Sequence, residues 1–136
     1  MIGHTGAVRD TIRLGRIAGI PIGINWSILA VAAYLIVSLA YGALPRWWPS
    51  ADLTARLVTS ASITVLFFVS ILGHELGHAA AARRHRVEVD GITLWVLGGI
   101  AKLRRQAPTP KAEFEIAAAG PAVSLLLGLA FAGGAL

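Results

Sequence analysis

The chain has 136 residues, no cysteine, 56% hydrophobic but only 14% charged side chains, and a mean hydropathy of +0.70. A soluble domain carries about 25% charged residues, so this composition excludes an ordinary soluble enzyme, a disordered chain, a collagen and a disulfide scaffold. It indicates a single membrane-embedded domain. Without Cys, any metal must be held by His, Asp or Glu. The formal charge of +5 is carried by residues that flank apolar runs, which fits membrane topology and contact with lipid rather than nucleic acid.

The residues before Trp26 include Arg9, Asp10, Arg13 and Arg16 and no compact apolar region with a cleavage site, so no cleavable signal peptide is expected there. Within that stretch, 17–24 (IAGIPIGI) reads as β-like, with Pro21 marking an edge. Three uncharged or nearly uncharged stretches then qualify as spans: 26–44, 57–82 and 116–136. Each is near the roughly 20 helical residues that cross a hydrocarbon core. Trp26 at one end of the first span, and Tyr41, Trp47 and Trp48 at the other, read as interfacial anchors. Three basic residues precede the first span, two (Arg46, Arg56) follow it, and seven lie between Arg83 and Lys111. The positive-inside rule therefore puts the N-terminus and the 83–115 loop in the cytoplasm of a multi-pass cell-membrane protein.

That loop reads as a short β region. Val87–Val89 and Ile92–Leu97 flank Asp90-Gly91, a two-residue hairpin signal. Gly98-Gly99 offers a second turn before Ile100–Leu103, and Pro108 and Pro110 break the chain before the third span. The expected fold is thus an all-α membrane protein of three transmembrane helices, with a short strand region between the second and third.

The second span contains His74-Glu75-Leu76-Gly77-His78. Residues four apart on a helix share a face, so both imidazoles can reach one metal ion, with Glu75 beside them as a general base. Two His nitrogens and one oxygen ligand suit Zn2+ and leave a position for the water it activates. Ionisable groups in an apolar span are costly and usually functional. At the helical rise, His74 and His78 lie about 13 and 8 Å inside the end marked by Arg83 and Arg84. Gly73, Gly77 and Ala81 form a small-residue stripe for close packing of a neighbouring helix. Asp52, Glu88, Asp90, Glu113, Glu115 and His85 read as distant, solvated, helix-terminal or interfacial groups.

With these residues in order, the chain resembles the N-terminal membrane core of the site-2 protease family of intramembrane zinc metalloproteases, in the bacterial branch often fused to CBS domains. Gly19-Ile20-Pro21-Ile22 and Trp26-Ser27 resemble the opening of that branch, and HELGH its zinc motif. Gly98-Gly99 resembles its Gly-Gly turn, and Ala119-Gly120-Pro121 its Gly-Pro motif. The resemblance implies that His74 and His78 ligate zinc and that Glu75 is the general base. It implies that Gly98, Gly99, Gly120, Pro121 and Ser124 help bind a membrane-anchored protein substrate. Pro121 is expected either to make an ordinary kink relieved by neighbouring helices, or to bend the third span around the active site and free the Ala117 carbonyl. Relatives often carry a histidine where Asn25 stands and an asparagine where Ser124 stands. Their third ligand is an aspartate on a later helix, and nothing after Glu115 is acidic here. The chain is accordingly expected to be part of a longer protein. The rival reading is a non-catalytic, protease-derived membrane protein that binds single-span partners.

Overall fold

A computed structural model describes residues 12–136. The N-terminal stretch with Arg9 and Asp10, on which the absence of a signal peptide was argued, lies mostly outside them. Three helical stretches are long and apolar enough to cross a membrane: Ser27–Trp47, Leu53–Arg84 and Pro110–Gly134. They contain the three expected spans in large part, but the second starts four residues earlier and the third six, because each start is set by a polar cap. The Asp52 side chain accepts the Ala55 amide at 2.7 Å, and Thr109 accepts the Ala112 amide at 3.1 Å with Pro110 in the first turn. Pro110 therefore opens the helix rather than breaking the chain ahead of it.

The fold is not all-α. A four-stranded mixed sheet, in the order β1-β2-β3-β4, joins β1 (Ile12–Ile17), β2 (Ile20–Ile24), β3 (Val89–Trp95) and β4 (Gly98–Leu103). The β-like segment 17–24 is divided by a tight turn in which Ala18 (φ 50°) and Gly19 (φ 79°) are both left-handed, the geometry that matches strand twist in a hairpin. Pro21 does not mark an edge: β2 is internal, antiparallel to β1 and parallel to β3. The missing amide is tolerated because the parallel ladder begins one residue later, at Ile22↔Ile92.

Asp90-Gly91 is not a hairpin turn either. It lies inside β3 at an irregularity between Val89 and Gly91, where an added Cβ would sit 3.1 Å from the Pro21 carbonyl. The true turn is Val96-Leu97, and Gly98 and Gly99 open β4 opposite Trp95 and Leu94. The expected second turn at Gly98-Gly99 is thus the start of a strand.

α1 (Ser27–Ser38) begins where Asn25 Oδ1 accepts the Ser27 amide at 3.0 Å. It passes through a π-helical turn, Leu39–Ala43, into α2 (Leu44–Trp47), with Pro45 just beyond the widened turn. α3 (Leu53–Arg84) ends in a Schellman arrangement. Arg86 is left-handed (φ 58°), its amide reaches the Arg83 carbonyl, and the Val87 amide reaches the Ala82 carbonyl. Ala82, Val87 and Ile116 then pack as a small cluster beneath α4 (Pro110–Gly134).

The main core forms where the sheet covers α3. Ile20, Ile22, Ile92 and Leu94 pack with Ile28 and Ala79, against Phe68, Ile71, Leu72 and Leu76. A band of α3 about three turns long thus faces sheet rather than lipid or another helix. The 83–115 connection is fixed by charge as well. Arg104 bonds Glu88 and Asp90, the latter at 2.7 Å, so these acids are paired rather than merely solvated. The Asp90 hydrogen bond and charge, then the Glu88 charge, raise the Arg104 pKa above its ordinary value.

Candidate metal centre

α3 and α4 approach closely because the facing positions are small. A Cβ on Gly77 would lie 2.8 Å from the Ala119 carbonyl, and one on Gly73 would lie 3.1 Å from Leu127. The stripe therefore sets the helix separation, and α4 brings its Ile116–Ser124 face to the HELGH turn. His78 Nδ1 lies 2.7 Å from the Ile116 carbonyl oxygen, and His74 Nδ1 lies 2.8 Å from Ser124 Oγ. A carbonyl only accepts, so His78 donates through Nδ1 and, as a neutral imidazole, presents a lone pair at Nε2.

The two Nε2 atoms face each other 3.1 Å apart. Imidazole nitrogens on one tetrahedral zinc, each about 2.0–2.1 Å from it, stand about 3.3 Å apart. The spacing of this pair therefore suits one ion, and the Nδ1 partners are of the kind that orients metal-binding imidazoles. A ligand atom of Glu75 completes a group whose members all lie within 4.8 Å of one another. Among the described residues this is the one such group of three or more His and acidic residues. His85 instead pairs with Glu115 at 2.7 Å, and Asp52 caps α3.

Two glycines make the room. A Cβ on Gly120 would stand 2.7 Å from His74 Nε2 and overlap the His78 ring. A Cβ on Gly99 would overlap the Glu75 side chain. Glu75 thus lies between the imidazoles and the first residues of β4, the edge strand of the sheet. Beside it opens a cleft of about 440 Å³ with Phe67, Ile71 and Leu97 as its apolar wall and Glu75, His74 and Ser124 as its polar side.

The structure therefore brings His74, Glu75, His78, Gly98, Gly99, Gly120 and Ser124 to one place. The Ser124 hydroxyl is engaged with His74 rather than standing alone in the cleft. Pro121 is exposed on α4, which runs through it without a break. The Ile116 carbonyl was not visible in the sequence, since any residue offers one. The fit of Gly99 against Glu75 was equally hidden, although two adjacent glycines beside apolar strand residues were the available signal.

Paired imidazoles and a carboxylate on an apolar helix, backed by a sheet edge, define a metallopeptidase-type centre set among potential membrane spans. Residues 62–136 match the profile of Peptidase family M50. The chain is 43% identical over 124 residues to the protein named zinc metalloprotease Rip3 from Mycobacterium tuberculosis, covering 91% of this chain and 31% of that one. It is 32% identical over 122 residues to zinc metalloprotease MJ0392 of Methanocaldococcus jannaschii, covering 88% and 31%. The solved site-2 protease from M. jannaschii superposes with a TM-score of 0.62 at 31% identity, over 88% of this chain and 48% of that one. The chain belongs to peptidase family M50, the site-2 proteases. It spans about a third of the length of the curated relatives it matches.

Proposed function

We propose that this chain is the core of a zinc-dependent intramembrane endopeptidase that cleaves membrane-spanning segments of anchored proteins. The observation that carries the reading is the position of Glu75, between two imidazoles spaced for one ion and an unpaired strand edge. His74 and His78 would hold zinc through Nε2, with Ser124 and the Ile116 carbonyl fixing their rings. A further ligand would come from a part of the protein outside residues 12–136, as the family resemblance implies. Bound zinc supplies a Lewis acid for the scissile carbonyl and acidifies water.

The remaining steps belong to the chain's own groups. Among the described residues no strand pairs with the outer edge of β4, to which an unwound substrate segment adds as a further strand without demanding a particular sequence. Phe67, Ile71 and Leu97 receive apolar side chains of that segment. Glu75 accepts a proton from the attacking water as the new C–O bond forms. It then delivers that proton to the amide nitrogen as the C–N bond breaks. Orientation follows the distribution of basic residues, with the β4 side of the protein in the cytoplasm.

The test uses full-length protein co-expressed with a single-span substrate. Glu75→Gln should keep its zinc and lose cleavage by about 10²–10⁴-fold, the usual worth of a general acid–base. Undiminished cleavage by that variant would overturn the role of Glu75. Wild-type protein that captures substrate, binds no zinc and never cleaves would instead establish the non-catalytic binder.

A further inference from the structure

The face of the sheet turned away from α3 has no part in the chemistry above. Pairing fixes what it displays. Ile20, Ile22 and Ile92 point into the core, so their neighbours Pro21, Gly23 and Gly91 lie on the outer face. Arg13 pairs with Gly23 and Arg16 with Pro21 across β1–β2, and Lys102 pairs with Gly91 across β3–β4. Residues directly paired share a face. Cations from both edge strands therefore flank a floor of Pro21, Gly23, Gly91 and Thr93.

The result is a trough of about 320 Å³ whose lining includes Arg13, Arg16, Pro21, Gly91, Thr93 and Lys102. Its depth comes from the missing side chains at the centre, and the edge strands stand roughly 14 Å apart, within reach of long cationic side chains from both sides. Its one carboxylate, Asp90, is already engaged by Arg104. Among the described residues no carboxylate pairs with Arg13, Arg16 or Lys102. Three cations with no carboxylate partner among the described residues, set around a concave floor, are suited to a phosphate.

The other face of β1 identifies the source of that phosphate. Ile12 and Ile17 pair with Ile24 and Ile20 on the helix side, yet they are 44% and 43% exposed, and Leu14 at the bulge is 60% exposed. β1 thus carries exposed apolar side chains, with Ile12 and Ile17 on one face and Arg13 and Arg16 on the other. This is the pattern of an element lying in the membrane interface. A soluble phosphate would account for the trough but not for the exposed apolar side chains of β1.

We propose that the outer face of the β1–β4 sheet binds the phosphate of an anionic phospholipid, while Ile12, Leu14 and Ile17 seat β1 at the acyl boundary. The site needs no proteolytic activity and stands whether or not the chain cleaves anything.

The test measures lipid retention by full-length protein in neutral detergent, using native mass spectrometry. The probes are phosphatidylglycerol, phosphatidylcholine and glycerol 3-phosphate. Wild type should retain phosphatidylglycerol over phosphatidylcholine, with no competition from glycerol 3-phosphate at equal concentration. R13Q/R16Q/K102Q should lose that preference, by about fivefold in affinity for each cation removed. The charge-keeping R13K/R16K should hold most of it, and I12N/I17N should weaken both lipids alike. Should the triple variant fail to fold, Arg16→Gln alone should still show about a fivefold loss. An unchanged preference in the Gln variants would overturn the site. Equal competition by glycerol 3-phosphate would overturn the lipid as its ligand.

Discussion

Gly120 lies so close over the imidazole pair that a single methyl there would overlap the His78 ring and stand 2.7 Å from His74 Nε2. The missing side chain at 120 is therefore a condition of this arrangement of imidazoles. Gly120→Ala must either tilt both imidazoles or push α4 away from α3. Overpacking of this kind costs about 1–3 kcal/mol, so zinc affinity should fall roughly 10- to 100-fold. Zinc content per chain, measured after dialysis against a chelator, checks this; full occupancy would contradict it.

Gly99 and Gly98 should part company. Gly99→Ala sets a methyl against Glu75 but leaves both imidazoles untouched. It should retain zinc while cleavage drops by at least about 10²-fold, the lower end of a general base's contribution. Gly98 has open space around its Cβ position but a left-handed φ of 124°. Gly98→Ala should therefore cost about 1–3 kcal/mol of local strain and leave Glu75 in place. Zinc analysis and turnover number, measured side by side, separate the two.

Ser124→Ala removes the partner that fixes the His74 ring at 2.8 Å. Partners of this kind are typically worth 10–100-fold in metal affinity, so a loss of about that size is expected in a competition titration with a chromogenic chelator. Ser124→Thr, which keeps the hydroxyl, should recover most of it.

Gly77→Val tests the helix seam. Its side chain would collide with the Ala119 carbonyl and with Val123, and should destabilise by about 1–3 kcal/mol or more. Gly128→Ala, at a position with nothing within 4 Å, should leave thermal unfolding in detergent unchanged or slightly raised, since Ala favours helix over Gly. Equal melting of the two variants would refute the close approach of α3 and α4 at Gly77.

The helices and the facing of His74 and His78 were legible because their signals are local. An uncharged run of about 20 residues and two His four apart need no knowledge of the rest of the chain. The sheet was not, because its central pairing is non-local. Ile22 and Ile92 are brought together only after two helices have been placed, and no pattern within either strand announces the other. Asp90-Gly91 misled for a related reason. That dipeptide favours a tight turn in isolation, but here Gly91 is needed where the backbone of β3 passes the Pro21 carbonyl. The turn passed to Val96-Leu97, two apolar residues with no turn chemistry, held by the Val96 amide on Ser27 Oγ at 3.0 Å. Helix starts were missed by a few residues because hydropathy marks where a span becomes apolar, whereas Asp52 and Thr109 mark where the backbone begins to coil.

The parallel pairing of β2 with β3 also orders assembly in time. β2 leaves the ribosome about seventy residues before its partner, and contacts so distant along the chain close late. Until α3 is in place and its Arg86 terminus has turned the chain back, the β1–β2 hairpin is a two-stranded ribbon with an open inner edge. The strand edge beside Glu75 comes into being only when β4, the last strand along the chain, pairs with β3. A chain halted before that point would carry His74, Glu75 and His78 with no strand beside them to hold a peptide. On the proposed function, the edge that would hold a peptide is therefore available only after the sheet has assembled.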